Sequence, residues 1–309
     1  MQHFWSLDDV HLKNAWLTIG SFDGVHRGHQ EIIRKITAGA HASGDPAVVL
    51  TFYPHPAVIL GRRDGPFYLT TPEEQADLMA KMGVDVTITH PFNREVANTS
   101  ARDFMQQLSD HLGLRHLCVG YDFALGHGRE GNVETLQKLG KEMGYQVHIL
   151  EAVQEGGLVV SSSEIRTALL AGDIELANHL LGRPYQIRGR VVHGDGRGKT
   201  IGVPTANLNI WSERLLPKSG VYVCQAEVEG SVWGAVTNIG IRPTFEDQAP
   251  ERHVEAHLLD FDRDLYGEEM KLSFLLRLRD EQRFPNVGAL IAQIQEDIAR
   301  GRSFLQQEK

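Results

Sequence analysis

Thr18-Ile-Gly-Ser-Phe-Asp-Gly-Val-His-Arg-Gly-His29 decides how the amino-terminal half is read. Trp16–Ile19 ahead of it is a strand candidate, and Gln30–Ala42 behind it has the pattern of a helix. The stretch is therefore a strand-to-helix turn, and the amino terminus of a helix points backbone N–H groups at an anion. Gly20, Gly24 and Gly28 let the backbone bend and approach a ligand closely. His26 and His29, three apart at the helix start, can face one phosphate and neutralise charge that develops on phosphorus during displacement. Two histidines at this spacing also describe a surface pair or half a metal site. The full string G-x-F-D-G-x-H-x-G-H, which includes Phe22 and Asp23, is far more specific to a nucleotide site. A zinc site is poorly supported, because no third ligand of obvious spacing follows.

Outward from this turn, apolar runs alternate with helical patterns. Ala47–Phe52, Asp85–Thr89, His116–Val119 and Gln146–Leu150 read as strands; Pro72–Met82, Ala101–Leu112 and Asn132–Met143 read as helices. Regular alternation predicts a parallel sheet covered on both faces, with ligands beyond the carboxyl ends of its strands. Ser161 and Glu164 form a capping-box pattern for a further helix that Gly172 ends, and Asp173 can cap the next, which stops at Leu181-Gly182. Ser162, Ser163 and Arg166 stand at that first helix start, where hydroxyls and a guanidinium suit a pyrophosphate; a well-capped helix accounts for them equally.

The composition changes near Arg183-Pro184. Beyond it come short β-branched runs between Gly and Pro turns: Gln186–His193, Val221–Val228, Val232–Asn238, His253–Leu259 and Met270–Leu276. They predict an antiparallel barrel or sandwich, closed by a helix over Val287–Arg300. We place the domain boundary there, giving residues 1–183 and 184–309.

The 309 residues carry 31 basic and 40 acidic side chains, a net charge of −9, which argues against a surface built for nucleic acid. Cys118 and Cys224 lie far apart in apolar runs and read as reduced, buried thiols. No secretory pattern opens the chain, and no run approaches the ~18 apolar residues of a membrane span, so the cytoplasm is the expected location. Oligomeric state is not legible.

Gly194-Asp-Gly-Arg-Gly-Lys-Thr200 invites a P-loop reading, but only three residues separate Gly194 from Gly198-Lys199-Thr200, and Gly202 and Pro204 oppose the required helix. The loop can still hold phosphate through the Gly198 backbone and Lys199. In Pro204-Thr-Ala-Asn207, Thr205 and Asn207 lie two apart and, if extended, share a face. Two neutral oxygens suit Mg²⁺ otherwise held by water and phosphate, although such a tetrapeptide is also an ordinary turn. Glu255 alternates with Val254 and Ala256 in a strand pattern, as a solvated glutamate or as a base.

Together these segments resemble the bacterial bifunctional riboflavin kinase/FMN adenylyltransferase (FAD synthetase) family across nearly the full length. The first half matches G-x-F-D-G-x-H-x-G-H, I-S-S-T-x-I-R, T-F-x-P-H-P at Thr51–Pro56 and G-x-D-F-x-x-G at Gly120–Gly126; the second resembles G-R-x-L-G-F-P-T-A-N, with Lys199, Ile201 and Val203 as mild substitutions. The resemblance implies a Rossmann-like α/β nucleotidyltransferase domain followed by an antiparallel β-barrel kinase domain. It implies that ATP phosphorylates riboflavin to FMN with Mg²⁺, and that a second ATP adenylylates FMN to FAD. By it, His26 and His29 stabilise the transition state, and Ser162, Ser163 and Arg166 hold ATP phosphates. Pro54, His55, Pro56 and Asp122 line the FMN side, Glu255 is the base, Thr205 and Asn207 hold Mg²⁺, and Asn238, Arg242 and Arg279 lie at the flavin. Ser163 replaces the family's threonine, and Ala124-Leu125 departs from its Arg-Phe, which unsettles the flavin contacts there. Rival readings are an enzyme with one live module, a non-catalytic flavin or nucleotide binder, and an RNA-binding barrel, the last disfavoured by the acidic balance.

Overall fold

Strands β1 (Gln2–Phe4), β2 (Trp16–Ile19), β3 (Ala47–Tyr53), β4 (Val86–Pro91), β5 (His116–Gly120) and β8 (Gln146–Leu150) form one sheet in the order β1-β4-β3-β2-β5-β8. All five pairings are parallel. The computed structural model describes residues 1–63, 65–194, 198, 202–242 and 251–307. Lys199 and the side chain of Arg242, both assigned to sites from the sequence, lie outside the described residues.

A parallel sheet needs both faces covered, and the central strands read accordingly: Leu17, Val48, Val49, Leu50, Leu117 and Cys118 have no exposure at all. Helices α1 (Arg27–Ser43), α3 (Pro72–Ala80), α5 (Ala101–Leu112) and α6 (Val133–Met143) lie between the strands in sequence. Short helices α2 (Pro56–Ile59) and α4 (Arg94–Asn98) and the hairpin β6 (Ala124–Leu125)–β7 (Gly131–Asn132) fill the loops. The strand order reverses direction between β2 and β5, so the loops leaving those strands flank the crevice where parallel sheets bind ligands.

The helix expected from Gln30 begins three residues earlier, because His26 caps it: its Nδ1 accepts the N–H of His29 at 3.3 Å. β1 was not expected, since Met1–Asp9 is polar; backbone pairing with β4 at the sheet edge makes it a strand.

After a small hairpin, β9 (Gln154–Glu155) with β10 (Leu158–Val159), come α7 (Ser162–Ala171) and α8 (Ile174–Leu181). Contacts divide the chain into Met1–Ser162 and Ser163–Lys309, so both helices group with the second unit. There Asn178 of α8 accepts the Tyr185 N–H at 2.7 Å and donates to the Phe274 carbonyl at 2.9 Å. In the second unit β11 (Tyr185–Val192), β12 (Ala206–Ile210), β13 (Gly220–Val228), β14 (Ser231–Arg242), β15 (Glu251–Leu258) and β16 (Glu269–Arg279) close a six-stranded antiparallel barrel. The order is β11-β12-β15-β14-β13-β16. Tyr222 and Phe274 fill its interior edge to face, 5.3 Å between centroids.

Five of the six barrel strands were legible from β-branched runs. β12 was not, because Ala-Asn-Leu-Asn-Ile has few strand formers; cross-strand pairing with β11 and β15 decides it. The terminal helix Val287–Gln307 lies on the outer face of β13 and β14. It comes close through two glycines: a Cβ on Gly301 would sit 3.0 Å from Val236, and one on Gly234 2.5 Å from Leu305.

Candidate functional sites

In the first unit the β2–α1 turn adopts conformations that side chains rarely take. Phe22 (φ 46°), Gly24 (φ 82°) and Val25 (φ 41°) all have positive φ, a costly state for a bulky or β-branched residue. Burial holds them there, with Phe22 at 2% and Val25 at 1% exposure. Asp23 locks the turn: its carboxylate accepts the N–H of Leu69 (2.9 Å) and of Thr70 (3.0 Å) and the Thr70 hydroxyl (3.1 Å). Its carbonyl accepts the Ser162 hydroxyl at 2.8 Å. The Asp23 side chain thus faces backbone and shapes the loop.

The turn delivers His26 and His29 as a stacked pair, ring centroids 3.6 Å apart and planes 18° from parallel. Because Nδ1 of His26 accepts the His29 N–H, the neutral ring carries its proton on Nε2. No acidic residue stands in the first turn of α1, which leaves its N-terminal dipole uncancelled. Gly28 keeps this packing free of crowding, since a Cβ there would lie 3.2 Å from the His26 ring. A Cβ on Gly20 would lie 3.1 Å from the Phe22 ring. Arg166, one turn into α7, is 8% exposed, and Ser163 precedes it on the same helix.

Beside the turn lies a cavity of ≈ 600 Å³ at the carboxyl ends of the strands. Gly20 opens one side, Phe52 lies near the end of β3 with His55 just beyond it, Phe92 follows β4, and Phe123 follows β5. Its Phe52 ring meets Phe92 edge on at 5.4 Å, so the walls are aromatic. Of the residues assigned to the flavin side, His55 and Pro56 line this cavity, while Pro54 and Asp122 adjoin it in sequence. The unexpected wall residues Phe92 and Phe104 carried no motif signal; only the sheet order brings them here. Near them, burial holds His90 below the ordinary imidazole value, opposed by Asp8, and its Nδ1 accepts the Leu7 N–H at 3.2 Å.

In the second unit a cavity of ≈ 300 Å³ lies between the outer barrel wall and the terminal helix. Gly198, Thr205, Asn238, Glu255 and Arg279, all named from sequence, line it together. Glu255 stands directly opposite Asn238 on one side and Asn207 on the other. The expected alternation holds: Val254, Ala256 and Leu258 are buried at 1%, 0% and 5%, while His253, Glu255 and His257 turn outward.

Thr205 and Asn207 are brought against the ends of the glycine loop. A Cβ on Gly198 would meet the Thr205 hydroxyl at 3.2 Å, and one on Gly194 would meet the Asn207 amide at 2.2 Å. His257 anchors the segment by donating from Nδ1 to the Pro204 carbonyl at 2.8 Å. Thr205 also lines a second cavity of ≈ 410 Å³, whose walls include Phe261, Arg263 and Tyr266.

Arg279 reaches the cavity wall, where Asp297 of the terminal helix grips its guanidinium at 2.8 to 3.1 Å. Asp297 is 2% exposed and was not anticipated. A signal was available: Asp297 lies three residues after Ile294 and next to Ile298, on the apolar side of the helix, where a carboxylate needs a cation. Among the described residues no group of three or more His, Cys, Asp or Glu side chains is placed to hold a metal ion.

An anion-accepting turn at the switch point of a parallel sheet, joined in sequence to a barrel with a carboxylate, hydroxyl and amide cluster, defines a protein with two phosphate-transfer sites. Residues 8–164 match the FAD synthetase family, and residues 181–305 match the riboflavin kinase family. The chain is 40% identical over 284 residues to the bifunctional riboflavin kinase/FMN adenylyltransferase of Bacillus subtilis (strain 168), covering 91% of this chain and 89% of the relative. It is 39% identical over 301 residues to that of Escherichia coli (strain K12), covering 97% and 95%. This chain belongs to the bifunctional riboflavin kinase/FMN adenylyltransferase family. A solved structure from Streptococcus pneumoniae, named as a macrolide-efflux protein, superposes with a TM-score of 0.89 at 30% identity, covering 97% of this chain and 98% of that one. Among the described residues of this chain no helix is long and apolar enough to cross a membrane.

Proposed function

We propose that the protein makes FAD from riboflavin in two ATP-dependent steps, the first in the barrel and the second at the β2–α1 turn. The observation that carries the first step is the position of Thr205, which lines both barrel cavities, with Glu255 in the apolar one. Riboflavin enters the cavity walled by Val221, Val236 and Phe284, and ATP the one with Phe261 and Tyr266. The two meet at Thr205. Glu255 takes the proton of the riboflavin 5′-hydroxyl as its oxygen attacks the γ-phosphorus, and ADP leaves.

The donor set fits Mg²⁺: Asn207 pairs with Glu255 in the ladder and Thr205 lies two residues before it, and water and phosphate would supply the remaining ligands. Thr205 and Asn207 would hold the ion where it would neutralise charge on the transferring phosphates. Gly198 and Lys199 contribute backbone and charge to the same phosphates, and Asn238, Arg242 and Arg279 shape the flavin side.

In the second step an FMN phosphate oxygen attacks the α-phosphorus of another ATP, and pyrophosphate leaves. His26 and His29, with the N–H groups at the start of α1, stabilise the charge on that phosphorus; no side-chain nucleophile is needed. The FMN ring occupies the ≈ 600 Å³ aromatic cavity beside His55 and Pro56. Ser162, Ser163 and Arg166 hold ATP phosphates, as the motif match implies. We take the cytoplasm as its location, a reading that dependence on ATP and two buried free thiols support.

We assign residues 1–183 to adenylyl transfer and 184–309 to the kinase. A fragment of Tyr185–Lys309 retains every kinase residue and is expected to make FMN and no FAD; a folded but inactive fragment counts against the division. The decisive assay incubates the full chain with riboflavin, ATP and Mg²⁺ and separates the flavins. FMN followed by FAD is expected, and an unchanged ATP pool overturns the reading.

A further inference from the structure

Two histidines flank Glu255 on the outward face of β15, and they are differently committed. His257 points Nδ1 at the Pro204 carbonyl, 2.8 Å away. A carbonyl only accepts, so the neutral His257 ring carries its proton on Nδ1 and has no N–H left for a carboxylate. His253 is the reverse case. Its Nδ1 is buried without a hydrogen-bond partner, while Nε2 lies 3.7 Å from Oε1 of Glu255. A buried N–H with nothing to donate to costs more than a buried lone pair, because each donor lost to water must be replaced. The proton therefore sits on Nε2, aimed at Glu255.

The fold reserves space for this ring. Opposite His253 in the ladder is Gly240, and a Cβ there would sit 2.7 Å from the His253 Cε1, 2.9 Å from its Nε2 and 2.7 Å from a carboxylate oxygen of Glu281. The imidazole thus lies over bare backbone between Glu255 and Glu281. The groups facing it are those two carboxylates, with Arg279, Asp297 and His257 elsewhere around the same cavity. At 3.7 Å the contact is too long for a hydrogen bond as it stands, and catalytic contacts commonly tighten only when substrate is bound.

We propose that His253 is a positioning residue for the kinase step: its Nε2–H holds the Glu255 carboxylate in the orientation from which it accepts the riboflavin hydroxyl proton. This rests on the reading of Glu255 as the base. A shift of about 1 Å in a reacting group costs up to ~10²-fold in rate, so the effect belongs in kcat.

The test measures kcat and KM for riboflavin at saturating Mg²⁺-ATP in the full chain. Protection of the buried Cys224 thiol, which lies in the barrel itself, from iodoacetamide reports that each variant is folded, and FAD formation from supplied FMN serves as the unaffected control. His253→Leu is expected to lower kcat about tenfold with KM within about threefold. His253→Gln, which keeps a donor near the Nε2 position, should recover most of the loss. In a Glu255→Gln background His253→Leu should cost nothing further, since the group it orients is gone. Should the leucine variant fail to fold, His253→Thr takes its place with the same expectations. Unchanged kcat, an equal loss in the glutamine variant, a loss confined to KM, or an undiminished effect in the Glu255→Gln background each overturns the proposal. If Glu255→Gln cripples turnover and His253→Leu does not, positioning alone fails. If Glu255→Gln keeps full turnover, the base reading fails and takes this one with it.

Discussion

In the first unit one stretch supplies most of the proposed phosphate site: residues 18–29 carry the glycines, both histidines and the helix terminus within one turn of backbone, and Ser162 donates to the Asp23 carbonyl beside them. In the barrel, Gly198, Thr205, Asn238, Glu255 and Arg279 come from separate segments and meet only at one cavity. The first site depends on local conformation, with strained φ values held by the burial of Phe22 and Val25. The second depends on strand register and on a helix whose last turn lies far along the chain. A site of the first kind is vulnerable at its own residues. A site of the second kind is vulnerable at a distance, through whatever fixes the register or the helix.

The largest expected effect lies in the dispersed site. Glu255→Gln keeps shape but cannot take a proton at neutral pH, so riboflavin phosphorylation should fall ~10²–10⁴-fold at saturation. FAD formation from supplied FMN should not change. Turnover within about threefold of the parent would reduce Glu255 to a solvated strand residue.

The contiguous site should show the mirror image. His29→Ala removes half of the stacked pair, and FAD formation from FMN should drop by at least ~10²-fold, the usual worth of one donor to a developing oxyanion. Kinase activity should persist. Equal damage to both activities would mean that the two sites are not independent.

Vulnerability at a distance is tested on the terminal helix. Asp297→Ala leaves the Arg279 guanidinium, whose side chain is only 17% exposed, without its partner. Breaking a buried pair from one side costs about 3 kcal/mol, so the second unit should unfold at lower urea. Each unit holds one buried cysteine, Cys118 in the sheet and Cys224 in the barrel. Labelling of Cys224 in urea should move to lower concentration and that of Cys118 should not. Coincident movement would show one cooperative unit instead of two.

The smallest effect is on those thiols themselves. Burial pushes both up to about 12, so neither is a thiolate at neutral pH and iodoacetamide should label neither while the chain is folded. A thiol raised in the folded state adds stability that is fully present below its ordinary range near ~8.5 and is lost as pH rises toward 12. Native unfolding midpoints should therefore hold up to about pH 8 and decline above it. Rapid labelling at neutral pH in the native state would contradict the burial.

By itself the sequence determined the class of both halves, the strand–turn–helix geometry around His26 and His29, and the alternation that turns Glu255 outward. All of these depend on neighbours a few residues apart, where spacing and local conformation are the same information. It named Arg279 for the flavin side but not its partner, and the Pro204–Asn207 segment but not its membership of a barrel strand. Only the tertiary structure decided that Asp297 grips Arg279 and that Asp23 clamps the Leu69–Thr70 backbone. It alone set the Asn207 amide against Gly194 and Phe92 and Phe104 into the aromatic cavity. Those contacts join residues far apart in the chain, and which ones meet is fixed by strand order and register. Register in turn follows from burying one face of every strand at once, a condition on the whole molecule that no local stretch contains.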